Sequence, residues 1–340
     1  MNEQRFQEVT RAYAGRRLAV VGDFCLDRYL EIDPGKTEIS IETRLPVYNV
    51  VRVRSQPGGA GTIVNNLVAL GVGEIHAVGF CGEDGEGMEL VRALGRQPNV
   101  RLDHFLTTAS RRTFTYAKPL VLEPGRPPRE LSRLDSKNWT RTPPDVEWQM
   151  ERALEAVAEE VDGIILLDQV DVPDTGVLTS RVLERVGALG RARPEALILA
   201  DSRRGLRGYP PVTFKMNQAE LAALTGRDGL ADLREIQALT GKMARAHERP
   251  VIVTLAERGM VGADATGRVE HVRNPALRGP IDIVGAGDAV TANLAVALVS
   301  GASLGEAMRL ANAAASVVIH QMGTTGSASV EDLKRLLVVG

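Results

Sequence analysis

The sequence predicts an α/β fold: a central, mostly parallel sheet with helices on both faces, plus a small β flap that acts as a lid. Three observations carry this. Short continuous apolar runs alternate with helical stretches, the pattern of parallel strands buried on both faces. Three of the runs lead into Asp23, Asp168 and Asp201, at the carboxyl edge where open α/β sheets hold ligands. One early stretch instead alternates apolar and polar residues with no helix between, as half-exposed flap strands do.

With 340 residues, 44% hydrophobic and 25% charged, the chain suits one domain, 1–340, with lid insertions at about 28–56 and 100–122. A net charge of -2 gives no reason to expect nucleic acid or a membrane surface as partner. Cys25 and Cys81 lack CxxC or Cys/His spacing and read as reduced core thiols of a cytoplasmic protein. The first residues lack an apolar h-region, so no signal peptide is expected. No apolar run reaches about 18 residues, so no transmembrane helix is expected either.

In chain order, 17–22 (RLAVVG) is the first buried strand, with Asp27 just beyond Asp23. Ile39, Ile41, Val47, Val50, Val51 and Val53 mark the antiparallel flap, which Pro57-Gly58-Gly59-Ala60-Gly61 ends. A helix over 62–70 follows, then a strand over 75–80 and a helix over 88–94. The alternation around Phe114 and Tyr116 returns to the flap, and 123–145 is proline-rich surface loop with a short extended piece. From 146 onward the units repeat: helix 147–160, strand 163–167, helix 175–189, strand 196–200, helix 230–246, strand 251–255. Capping-box spacing at Ser303/Glu306 and Ser329/Asp332 opens the last two helices.

The chemistry centres on 280–288 (PIDIVGAGD). Gly285 and Gly287 allow a sharp turn, and Val290, Leu294 and Leu298 continue as a buried helix. The free amides and dipole of such a helix start bind anions, and Asp288 places a carboxylate beside them. That pairing suits phosphoryl transfer to a hydroxyl. Taken alone, the motif reads more simply as a glycine-rich helix start capped by an Asp.

Taken together, these segments resemble the PfkB (ribokinase-like) carbohydrate kinases over essentially the whole chain. The resemblance rests on Asp27, on Gly58-Gly59, on the N-x-x-E of Asn217 and Glu220, and on the D-x-x-G-A-G-D of Asp282 to Asp288. It implies an anion hole at Gly285, Ala286 and Gly287 with Asp288 as the base. It implies an acceptor sugar at Asp27, Gly58, Gly59, Asn66 and Asp168, and nucleotide at Asn217, Glu220, Thr254, Gly259 and Asn312. ATP and Mg²⁺ are the implied cofactors, with Glu220 on the metal's water shell and Asp282 a candidate site for K⁺. A homodimer through the flaps is also implied.

Within the family, Asp27-Arg28-Tyr29, Ile39-Ser40 with Glu42, and Ser132 to Asp135 resemble the kinase module of heptose-phosphate kinases. There are departures: Thr62 replaces an Asn, and Gln169-Val170-Asp171 stands where that subfamily carries an aromatic and Lys-Gly. The nucleotidyltransferase module that often follows is not expected here. The acceptor expected is a sugar or sugar phosphate, heptose 7-phosphate first, with Arg28, Arg44, Arg111, Arg112 and Lys118 to meet a phosphate. Three alternatives remain open: a free-hexose kinase, a nucleoside kinase, and a sugar-binding regulator without turnover. Aromatics at 4% speak against a nucleoside pocket, and an intact Asp288, Gly285-Gly287 and Glu220 speak against the regulator.

Overall fold

The computed structural model describes residues 1–274, 279–323 and 325–339. The strand Arg17–Gly22 lies mid-sheet, parallel to Gly163–Asp168 on one side and Glu74–Gly82 on the other. Parallel pairing continues outward from Gly163–Asp168 through Leu197–Ser202 and Thr213–Asn217 to Val251–Thr254, and an antiparallel pair, Met260–Ala263 and Val269–Val272, finishes that edge. Side chains alternate across the pleat. Leu18 and Val20 join one core with the helices Ala60–Ala69, Ala286–Val299 and Leu304–Val318. Ala19 and Val21 join the other, with Pro144–Ala158, Ser180–Ala192 and Leu233–His247. No helix among the described residues is long and apolar enough to cross a membrane.

The lid departs from expectation in three respects. Its first strand, Phe24–Ile32, starts two residues after the central strand ends, not near 28. It pairs antiparallel with Val50–Gly59 but parallel with Phe114–Val121, because the chain crosses the main sheet before returning. Residues 100–101 and 105–108 pair with Glu74–Gly82 at the main sheet's edge, so the second lid segment begins at Phe114. The proline-rich stretch also supplies Arg129–Glu130 and Leu134–Ser136, both hydrogen-bonded to Phe114–Val121. The expected helix at 175 begins only at Ser180, where Thr179 caps it, since Asp174 (φ 59°) turns the preceding loop.

Candidate active site

The helix Ala286–Val299 is buried on every side from Ala289 to Ala297, so its amino end can only open toward the sheet's carboxyl edge. Gly285 caps it at φ 82°, a left-handed conformation that suits glycine, and no side chain covers the exposed amides. The Ala286 N–H is occupied by the Ile283 carbonyl at 3.2 Å, which leaves Gly287 and Asp288 in the first turn to face an anion. Asp288 is half-buried in that first turn. Burial, with repulsion from Asp201 and Asp27 and against attraction to Lys215, pushes its carboxyl up to about 7. A carboxyl poised there suits a general base working near neutral pH.

Lys215, to which the sequence pattern assigns no role, completes this end. It is a buried ammonium within the apolar strand Thr213–Asn217, 2.6 Å from the Asp201 carboxylate, which also accepts from Thr291 at 2.9 Å. Burial alone would lower its pKa, and Asp201 reverses that, so it stays charged. A β-carbon at Gly287 would lie 3.4 Å from its Nζ, which places the ammonium against the first turn of the Asp288 helix. The available signal was a lysine in a strand otherwise patterned for burial.

Close enough to act on the Asp288 charge stands Asp27, buried on the lid between Gln56 and Tyr116 of its two neighbouring strands. A β-carbon at Gly58 would lie 2.5 Å from its carboxylate, so the glycine is what lets Asp27 fit. Gly59, at φ 57°, approaches the Asp23 carbonyl equally closely and starts the helix Ala60–Ala69. Lys118 donates to Asp27 at 2.8 Å on the same lid face. Gln56 reaches down to the Thr325 hydroxyl, linking the lid to the loop beside Gly285.

The other acceptor residues expected from sequence sit behind this surface. Asn66 is fully buried and donates to the Thr62 and Gly326 carbonyls at 2.9 and 3.5 Å, a tether and not a surface a sugar can touch. Asp168 is buried among Ser202, Arg204 and Tyr209 at 2.7–3.0 Å. Its neighbour Asp23 accepts from the backbone of Gln169 and Val177, and burial beside Asp168 pushes it up to about 7. Of the carboxylates along this edge, Asp23 and Asp168 hold loops in place; Asp201 holds Lys215.

The expected cations are also redistributed. Arg28 is engaged by Glu86 and Glu89 at 3.3 and 2.8 Å, and buried Arg111 staples the loops at Thr140, Thr142 and Thr175. Arg44 is exposed, and Arg112 is exposed with Asp84 4.0 Å away. Only Lys118 of the five stands beside Asp27. A different group gathers at Tyr116: Arg133 lies 4.4 Å over its ring, Arg203 donates to its hydroxyl at 3.3 Å, and Lys137 sits 5.7 Å away.

On the far side of the Asp288 helix start opens a cleft of about 1050 Å³, lined by Asn217, Thr254, Gly259, Gly287 and Asn312 among mostly apolar residues. Within it Gly259, at φ 88°, has no room for a β-carbon, and Asn312 holds the Val272 carbonyl at 3.1 Å. The N-x-x-E pair at its rim is a capping box. Asn217 accepts from the Glu220 N–H at 2.9 Å, and Glu220 accepts from the Asn217 N–H and side-chain amide, both at 2.7 Å. Burial raises the Glu220 pKa. Asp282 accepts from the Val284 and Gly323 N–H groups, so it ties two loops together.

A lid carboxylate, a half-buried carboxyl in an uncapped helix start and a mostly apolar cleft thus lie along one sheet edge, an arrangement with the parts a phosphotransferase acting on an alcohol group needs. The chain belongs to the pfkB family of carbohydrate kinases, whose family model matches residues 16–331. It is 32% identical over 318 residues to the bifunctional protein HldE of Gluconacetobacter diazotrophicus, covering 93% of this chain and 63% of that protein. The HldE of Azorhizobium caulinodans is 33% identical over 308 residues, covering 90% and 61%. The chain thus spans about three fifths of the length of these curated relatives. Among solved structures it is similar to an Arabidopsis thaliana ribokinase complexed with ribose and ATP (TM-score 0.68, 22% identity, 95% and 98% of the two chains). Phosphofructokinase-2 from Escherichia coli in complex with potassium is similarly close (TM-score 0.70, 20% identity, 94% and 97%). These structures establish the ribokinase-like fold.

Proposed function

We propose that the chain transfers the γ-phosphoryl group of ATP to a hydroxyl of a sugar or sugar phosphate. The observation that carries this is Asp288, a half-buried carboxyl in the uncapped first turn of a buried helix, with Asp201, Lys215 and Asp27 near enough to act on its charge. Asp27 orients the acceptor by accepting hydrogen bonds from its hydroxyls, and Asp288 takes the proton from the attacking one. The Gly287 and Asp288 amides and the Lys215 ammonium stabilise charge on the transferred group. The apolar cleft holds the nucleotide base, with Asn217 at the phosphate end. Magnesium, when bound, neutralises phosphate charge while keeping most of its waters. Glu220 fits that role because its oxygens keep lone pairs beyond those engaged by Asn217. A potassium ion would sit at the loops that Asp282 ties together.

Heptose 7-phosphate is the first acceptor to test, on the resemblance of Asp27-Arg28-Tyr29 and Ser132 to Asp135 to heptose-phosphate kinases. The cations around Tyr116 would meet a phosphorylated acceptor by exchanging their present partners, Asp135 for Arg133 and Asp171 for Lys137 and Arg203. A free hexose is favoured instead by Lys118, whose charge Asp27 already neutralises. Offering heptose 7-phosphate and free hexoses at equal concentration, with ADP formation as readout, decides between them. A higher kcat/KM for a free hexose removes the heptose reading and leaves the kinase chemistry standing.

The lid exposes Ile39, Ile41, Leu45, Val50, Val51 and Val53, a patch that suits a second copy of the chain. We therefore propose a homodimer through the lids. A fully active monomer in light scattering at micromolar concentration overturns this. Two unpaired buried thiols, Cys25 and Cys81, agree with a cytoplasmic setting.

A further inference from the structure

The sheet's opposite, amino-terminal edge carries a cluster that phosphoryl transfer does not use. His76 is the third residue of Glu74–Gly82, His104 sits in the turn after Val100–Arg101, and Glu160 follows the helix Pro144–Ala158. One ligand-type atom from each of the three lies within 4.8 Å of the others. Six residues of strand, roughly 20 Å, separate His76 from the carboxyl edge.

His76 is only 4% exposed, and its two nitrogens differ sharply. Nε2 lies 2.9 Å from Glu74, whose other oxygen is held by Arg101 at 3.1 Å. A carboxylate accepting from one ring nitrogen fixes the tautomer and turns the other nitrogen's lone pair outward, the arrangement found behind metal-bound histidines. Nδ1, the nitrogen so presented, is buried and has no hydrogen-bond partner among the described residues. Protonating it does not solve the problem, because the nearest carboxylate oxygen, on Glu160, is 3.9 Å away, too far for a hydrogen bond. An unpartnered buried polar atom is unfavourable, and a cation between His76, His104 and Glu160 satisfies it.

We propose that His76 Nδ1, His104 and Glu160 form a binding site for a first-row divalent metal ion of the zinc class, with Glu74 as the outer carboxylate. Two imidazoles and one carboxylate favour zinc over magnesium, which prefers an all-oxygen octahedron. Ligand atoms in a tetrahedral zinc site stand roughly 3.3 Å apart, so from separations of up to 4.8 Å the site closes by side-chain shifts of half-buried His104 and exposed Glu160. The bound ion would clamp the end of Pro144–Ala158 to the edge strands, a structural role separate from the kinase site.

The test uses the full chain, stripped with a chelator and titrated with Zn²⁺ by calorimetry in excess Mg²⁺. Co²⁺ then serves as a spectroscopic probe of tetrahedral geometry. The expected result is one equivalent bound, a rise in Tm on binding, and visible Co²⁺ bands of tetrahedral type. His104→Ala and Glu160→Gln, both at accessible positions, should weaken binding at least tenfold, and Glu74→Gln by roughly 10–100-fold. Absence of stoichiometric binding in the wild type, or unchanged affinity in His104→Ala, overturns the proposal. Neither result bears on ADP formation at the other edge.

Discussion

Two helix starts line the large apolar cleft, and they are built in opposite ways. The helix Gln218–Thr225 begins with a closed capping box, in which Asn217 and Glu220 satisfy each other's backbone amides. The helix Ala286–Val299 begins with a left-handed glycine and no side-chain cap. A closed start gains local stability; an open one keeps its amides for a ligand and must rely on burial for its stability. Here the open helix is the one enclosed by core on every side, while the capped one is short and has few buried residues. An anion site of this kind therefore requires a helix that packing alone can hold.

The largest way to break this contrast is to remove the carboxylate at the open end. Asp288→Asn should lower turnover by roughly 10²–10⁴-fold while ATP binding, measured by calorimetry, stays close to wild type. Wild-type turnover in that variant removes Asp288 as the base. The same group sets a pH dependence. Its folded carboxyl titrates near 7, above the ordinary Asp value of 3.8, and the base works only when ionised. kcat/KM should accordingly fall as pH drops through about 7. The folded state holds the proton more tightly than the unfolded chain, so this group's contribution to stability declines as pH rises from about 4 to about 7. Asp288→Asn should then be more thermally stable than wild type at pH 8, with the difference vanishing near pH 4.

Next comes the cap itself. Gly285→Ala forces a β-carbon into the left-handed region, at a cost of roughly 1–2 kcal/mol. It should lower both Tm and turnover, because strain there displaces the amides. At the closed start, Glu220→Gln can keep the capping box, since Gln serves at that position, while removing the charge. The expected outcome is a several-fold higher magnesium requirement with little change in Tm; lost acceptor affinity at unchanged magnesium dependence would put Glu220 in the other pocket. The smallest effect belongs to Ser303→Ala, which opens the capping box of Leu304–Val318, far from any proposed ligand. Stability should drop by about 1 kcal/mol in denaturant titration, with kinetics unchanged.

The parallel core, the Asp288 helix and the Ser303 and Ser329 capping boxes were legible because each is written in local spacing. Asn217 and Glu220 share that N-cap-to-N3 spacing, and attention to their family role hid the cap they form. Neighbours brought together by strand register were not legible. Nothing in the sequence places Lys118 beside Asp27, 91 residues earlier, or commits Arg28 to Glu86 and Glu89. The edge strands 100–101 and 105–108 are too short to show an alternation, so only pairing identifies them. Asn66, by contrast, lies on a helix legible from its spacing, and only the packing against Thr62 and Gly326 shows that its side chain is fully buried.

The first lid strand leaves the central strand at Asp23, whose carboxylate is pinned by the backbone of Gln169 and Val177. Were the lid to rotate about that joint, distance along the strand would set how far each residue travels. Asp27 stands four residues from the pivot and Ile32 nine, roughly 13 and 30 Å of extended chain. A rotation of about 10° would thus carry the end of that strand roughly 5 Å while moving Asp27 only about 2 Å. On the proposed function, such a rotation would open the rim to a bulky substrate while leaving Asp27 nearly in register with Asp288.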